Sequence, residues 1–286
     1  MARQEAASSA ARAAGRDDRV FRETRALSLF IAPFLVAGFV LLYLLPDTTG
    51  QLFAWAIKPR MTAMMLGAAY LGGTYFFLRA AVADRWHLVH AGFPGVAVFA
   101  GLLGVATILH WDRFNHQHVT FWVWAALYFT TPFLVLAVWL RNRRTDPGPD
   151  AQELSHPAPF RHLLVGLGVL DLAIAAVLFL LPGVASQAWP WALTPLTARV
   201  VASLFALTGV AQLAVASDRR RDAGAITLQS QAIALALIDV AVVFSWSSFR
   251  PSSPLTWVFV AGLLGLLIVI AVVLAGDARR QRRAPA

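Results

Sequence analysis

The sequence predicts an all-α, polytopic membrane protein: eight transmembrane helices forming two tandem parallel four-helix repeats, with the N- and C-termini cytoplasmic. Three observations predict it. Of 286 residues, 58% are hydrophobic and only 14% charged, too few charges to cover a water-soluble surface. Eight apolar stretches are long enough to cross about 30 Å of hydrocarbon at 1.5 Å per residue. A loop pattern of Pro, Gln and Trp recurs in the second half of the chain.

The first stretch, Ala26–Leu45, follows an Arg- and Ala-rich segment, 1–25, that reads as a disordered basic cytoplasmic tail. That tail lacks the short apolar core of a cleaved signal peptide, so Ala26–Leu45 is expected to act as a signal anchor. Met61–Ala83, Leu88–Leu109 and Val119–Leu140 complete membrane repeat 1, residues 26–144. A polar, Pro-rich cytoplasmic linker, 145–160, follows (TDPGPDAQELSHPAPF). His162–Leu181, Leu196–Ala216, Ala225–Trp246 and Leu255–Ala275 form membrane repeat 2, residues 161–278, before a basic tail, 279–286. The apolar residues run around each helix rather than along one stripe, as lipid-facing spans require. The short alternating segments of a membrane β-barrel are missing. Pro33, Pro94 and Pro132 fall inside spans, where neighbouring helices can satisfy the freed carbonyls.

Orientation follows the bias of Lys and Arg toward cytoplasmic loops. With the N-terminus inside, all but Lys58, Arg60, Arg113, Arg199 and Arg250 of the 24 Lys and Arg residues lie on the inner side. The net charge of +9 is thereby explained by helix-end anchors facing anionic lipid headgroups at the cytoplasmic face. Nucleic acid is not an expected partner, because the arginines do not form one face with interleaved aromatics. The expected location is the plasma membrane. Eight of the ten tryptophans fall on the outer side; only Trp86 and Trp139 are on the inner.

The segment LLYLLPDTTGQLFAWAIKPR from Leu41 aligns with VLFLLPGVASQAWPWALTPL from Val177 at an offset of 136. Identical pairs include Pro46/Pro182, Gln51/Gln187, Trp55/Trp191 and Pro59/Pro195. At an offset of 135, Trp111 matches Trp246, Phe114 matches Phe249 and Trp122 matches Trp257. Four spans per repeat is an even number, so both repeats enter the membrane in the same direction, related by an axis along its normal. The repeated loop contains Gln51–Ile57, amphipathic if helical, with Leu52, Phe53 and Ala56 on one face. Pro190 limits its counterpart to about a turn of helix. Trp55, Trp189 and Trp191 form either an interfacial cap on each bundle or an aromatic lid over an outward cavity.

Three groups stand out chemically. Asp171 and Asp239 are the only carboxylates well inside spans, and Arg199 lies just inside the outer boundary as an expected partner for Asp239. Such acids are expected to face the bundle interior, serving cation or proton coupling or held neutral by hydrogen bonds. His110, Asp112, His116 and His118 crowd one outer loop and are weak candidates for a metal, without the ligand spacing of a known site. His87, His90 and His162 read as a basic inner rim rather than haem ligands. No cysteine, GxSxG, Walker loop, HExxH or dinucleotide fingerprint is present, so no cofactor is expected and enzymatic activity is undecided. The segment LFAWAIKPRMTAMMLGAAYLGG resembles uncharacterised multi-pass membrane proteins of high-GC Gram-positive bacteria, a resemblance that implies no activity. The function expected is binding or transport of a small apolar or cationic solute. The alternatives are a membrane redox or metal-dependent enzyme subunit, or a structural assembly protein.

Overall fold

The computed structural model describes residues 16–149 and 156–281; residues 1–15 of the expected tail, 150–155 of the linker and 282–286 lie outside them. The described residues contain eight helices long and apolar enough to cross a membrane. They are α1 (Arg22–Phe39, continued by a π-turn Val40–Leu44), α2 (Arg60–Val82), α3 (Gly92–Leu109) and α4 (Val119–Asn142). After the linker come α5 (Ala158–Leu180), α6 (Pro195–Ser217), α7 (Ala225–Phe244) and α8 (Pro254–Gln281). The chain is a multi-pass integral membrane protein.

The packing order is not that of two separate bundles. α2 packs on α1 and on α7, while α6 packs on α5 and on α3; α4 and α8 attach outside α3 and α7. The helices of the two halves therefore interleave. α2 and α6 are the most buried. Small residues let the backbones meet there. A Cβ on Gly72 would sit 2.8 Å from the Ser230 carbonyl oxygen, and one on Gly95 would sit 2.7 Å from that of Leu207. The Ser230 hydroxyl donates to the Gly72 carbonyl at 2.7 Å, tying α7 to α2 at the crossing. Around this core, α4, α5 and α8 turn Phe133, Val169, Val258 and Ile268 outward. Those faces match hydrocarbon, where they need no further cover.

The loops depart from expectation. The chain from Asp18 to Arg25 is not a disordered tail. Val20 is buried, the Asp18 amide donates to the Thr145 carbonyl at 2.9 Å, and α1 already starts at Arg22. The Asn142 amide side chain closes this contact by donating to the Arg19 carbonyl and accepting from Thr24 and from the Phe21 amide. Pro94 lies in the first turn of α3, where a missing N–H costs nothing. The segment from Gln51 is not the amphipathic helix expected. Helix stops at Leu52; Phe53, Trp55 and Ile57 turn inward, while Leu52 and Ala56 stay exposed. In the counterpart loop a helix fills Pro182–Ala188, longer than the expected single turn, because Pro190 lies beyond its end.

Candidate functional site

The polar site inside the membrane is built by a close helix crossing. Gly168 on α5 and Gly209 on α6 approach so tightly that a Cβ on Gly209 would meet the Gly168 carbonyl oxygen at 2.8 Å and Asp171 Cβ at 3.2 Å. Asp171 lies on the α6-facing stripe of α5, with Leu164, Gly168, Ala175 and Leu178. About 14 Å of helix separates it from Leu180. The Thr208 hydroxyl donates to Asp171 Oδ2 at 2.9 Å. That hydroxyl has one proton and also lies 3.0 Å from the Phe205 carbonyl, so the carboxylate competes with the helix for it. One turn along α6, the Gln212 side chain is the carboxyl's other polar neighbour. It is 1% exposed, and neither of its amide atoms has a hydrogen-bond partner within the described residues. Asp171 thus faces protein, as the sequence predicts.

Asp239 does not pair with Arg199. Asp239 sits on α7, whose principal neighbours are α2 and α8, and its Oδ2 is buried without a partner among the described residues. Arg199 sits on α6, where its Nη1 donates to His110 Nε2 at 2.6 Å and its guanidinium lies 5.8 Å from the Phe179 ring centroid. Both lie about one turn from the ends of their helices, but the two helices present them to different neighbours.

The loop histidines disperse. His110 meets Arg199, Asp112 pairs with the adjacent exposed Arg113 at 3.1 Å, and His118 Nδ1 lies 2.8 Å from the Thr120 hydroxyl. His116 packs edge-on against Phe121. Among the described residues no group of three or more His, Cys, Asp or Glu gathers to hold a metal.

Trp55 and Trp191 are core residues, 4% and 0% exposed, in one hydrophobic cluster with Phe53, Phe114, Trp124 and Phe249. Trp189 is half-buried beside Trp191, their centroids 5.3 Å apart. The Trp191 indole N–H donates to Thr62 at 2.9 Å, whereas the Trp55 N–H is buried without a partner among the described residues. At the repeat offset the counterpart of Thr62 is Ala198, which carries no hydroxyl.

At the opposite end lies a charged network whose partners are far apart in sequence. His87 and His90 are not a basic rim. His87, 4% exposed, lies between two carboxylates: its Nδ1 contacts Asp18 Oδ2, and its Nε2 is 3.2 Å from Asp222 Oδ2. Burial alone would lower its pKa, but the hydrogen bonds to Asp18 and Asp222 outweigh that and push it up to about 9. His90 Nε2 lies 2.8 Å from Asp218 Oδ2. Arg220, 4% exposed, donates to both oxygens of Asp146 at 2.7 and 2.9 Å and to Asp218 at 2.7 and 3.1 Å. Burial works against ionisation of Asp146 and Asp218, yet His90 and Arg220 hold Asp218 below the usual carboxylate range, and Arg220 with the Gly148 amide does the same for Asp146. Arg221 pairs with Asp277 of α8. The network joins the N-terminal segment, the α2–α3 and α6–α7 turns, the start of the linker and the last helix.

No protein-family model, curated protein or solved structure matches the chain.

Proposed function

We propose that this chain is a plasma-membrane protein that binds or moves a small cationic solute at Asp171, in the seam between α5 and α6. Asp171, a mid-membrane carboxylate, carries the reading: one shared hydroxyl donates to it, and a buried amide with unused polar atoms lies beside it. An acid in hydrocarbon needs a proton, a cation or a full set of donors, and acids in spans mark pathways for ions more often than they brace a fold.

The tandem duplication sharpens the reading. Several contacts come in pairs at the two offsets. The Asn115 amide donates to the Ala54 carbonyl at 2.8 Å, and the Arg250 amide to that of Pro190 at 2.9 Å. Trp122 donates to the His116 carbonyl and Trp257 to the Pro251 carbonyl, both at 3.0 Å. Trp55 packs with its ring tilted at 5.0 Å from Phe114, and Trp191 edge-on at 5.1 Å from Phe249. These pairs support two parallel four-span repeats. On that register Asp171, Thr208 and Gln212 correspond to Leu35, Gly72 and Phe76. The seam of the first half is therefore apolar where that of the second is polar, so the architecture itself does not require the carboxylate. The Lys and Arg bias supports cytoplasmic termini.

Two experiments test this. Asn115 and Ser155, each replaced by cysteine in the otherwise cysteine-free chain, are expected to label from opposite sides of intact cells; labelling from one side would end the topology. In proteoliposomes carrying an internal pH dye, methylammonium, choline and tetraphenylphosphonium are applied in turn. At least one is expected to move with a coupled pH change. That flux should fall by about tenfold or more in Asp171→Asn, as loss of a charged interaction implies, while Leu35→Asn leaves it in place. Equal flux in Asp171→Asn and wild type contradicts the assignment.

A further inference from the structure

We propose that Arg199 and His110 hold the phosphate of a membrane phospholipid where the ends of α3 and α5 meet the first turns of α6. The site is separate from the Asp171 seam and does not rest on it.

Arg199 is the fifth residue of α6, one turn inside the span. No carboxylate pairs with it among the described residues, and its single polar contact is the His110 ring. Its Nε–H is buried with no partner among the described residues. A guanidinium in that position is costly unless an anion compensates it or the side chain reaches the headgroup layer. His110 accepts from Arg199 through Nε2, so the imidazole is neutral and its proton is on Nδ1. Burial and the neighbouring guanidinium keep His110 below the usual histidine range. The charged groups facing it are Arg199 on α6 and Asp112 and Arg113 on its own loop. The site therefore offers guanidinium N–H donors and an imidazole N–H, with no carboxylate paired to Arg199 among the described residues, because the nearby Asp112 is paired with Arg113. The planar fork of arginine suits two phosphate oxygens at once.

The surroundings select a lipid rather than a soluble anion. Leu109 ends α3 and is 54% exposed; Leu180 ends α5 and is 72% exposed. Phe179, under the guanidinium, precedes Leu180. Apolar side chains thus border the cation on two sides, where acyl chains lie below a headgroup. At the repeat offset Arg199 corresponds to Ala63 and His110 to Ser245, so one such site is expected per chain. Bound phosphate offsets the Arg199 charge and eases protonation of His110, so binding should tighten as pH falls.

The test uses delipidated full-length protein in a nonionic detergent, titrated with phosphatidylglycerol, with diacylglycerol and with inorganic phosphate, and read by native mass spectrometry. Wild type is expected to retain one phosphatidylglycerol that Arg199→Gln loses, with affinity lower by about tenfold or more, the cost of losing a hydrogen bond to a charged group. Arg60→Gln, an exposed arginine at the start of α2 outside the site, should keep that lipid. Diacylglycerol, which lacks phosphate, should not be retained. Equal retention by wild type and Arg199→Gln, or equal binding of diacylglycerol, overturns the proposal. Saturable binding of inorganic phosphate that displaces the lipid assigns the site to a soluble anion and also overturns it. A readout independent of variant folding is the His110 imidazole, followed by NMR in the wild type. Phosphatidylglycerol should raise its pKa, and an unchanged titration counts against the proposal.

Discussion

Arg220→Gln is expected to lower the stability of the protein by about 3–5 kcal/mol, the cost of removing one member of a buried ion cluster. Arg220 is almost fully buried and supplies four hydrogen bonds to Asp146 and Asp218. Without it, two carboxylates with little access to water face each other, with His90 as the remaining cationic neighbour. Glutamine can replace one or two of those bonds and none of the charge. The neighbouring Arg219 is exposed, so Arg219→Gln should stay within about 0.5 kcal/mol of wild type. Thermal unfolding in detergent, with both variants measured side by side, checks the difference. Similar melting of the two would mean that the cluster does not hold the arginine-rich end together.

Alkaline pH is expected to weaken the same end. Folded His87 titrates near 9, whereas an unfolded histidine titrates at about 6.5. Between those values the native state holds a proton that the unfolded state has released. The stabilisation is therefore complete below about pH 6.5 and is lost as pH rises through about 9, for a total of order 3 kcal/mol. His87→Gln should flatten this slope. Asp146 and Asp218 act in the opposite sense: their pKa values are held low by Arg220 and His90. Their contribution is present above the unfolded carboxylate range, about pH 4, and disappears as pH falls below it. Chemical unfolding between pH 6 and 10 checks the alkaline limb. A wild-type stability that is flat across that range, or a slope retained in His87→Gln, would remove His87 from the account.

The spans were legible because hydrocarbon imposes one requirement, length of apolar helix, that composition displays directly. All eight helices begin within four residues of the expected position; α1 starts four residues early, where Phe21 and Thr24 bond to the Asn142 side chain. Asp171 was legible for the same reason: a carboxylate so far from either end of its span is costly facing lipid and points inward. Arg199 was misassigned because sequence gives depth along a helix axis but not which neighbour a face meets. The partner of α6 at that level is α3, bringing His110 rather than Asp239. The charged network escaped notice because its partners are far apart in sequence. One signal existed. His87 and Asp222 occupy the same position in the two halves, at the offset of 135. On the proposed repeat register such residues meet only near the axis relating the halves, and these two touch.

The most direct test of the cation site is equilibrium binding of labelled tetraphenylphosphonium to the purified protein, wild type against Asp171→Asn, at matched thermal stability. Saturable binding by the wild type at one site per chain, weakened by about tenfold or more in Asp171→Asn, is the expected result. Binding that is equal in the two proteins, or that is lost in Leu35→Asn as readily as in Asp171→Asn, would contradict the assignment of a cation site to the α5–α6 seam.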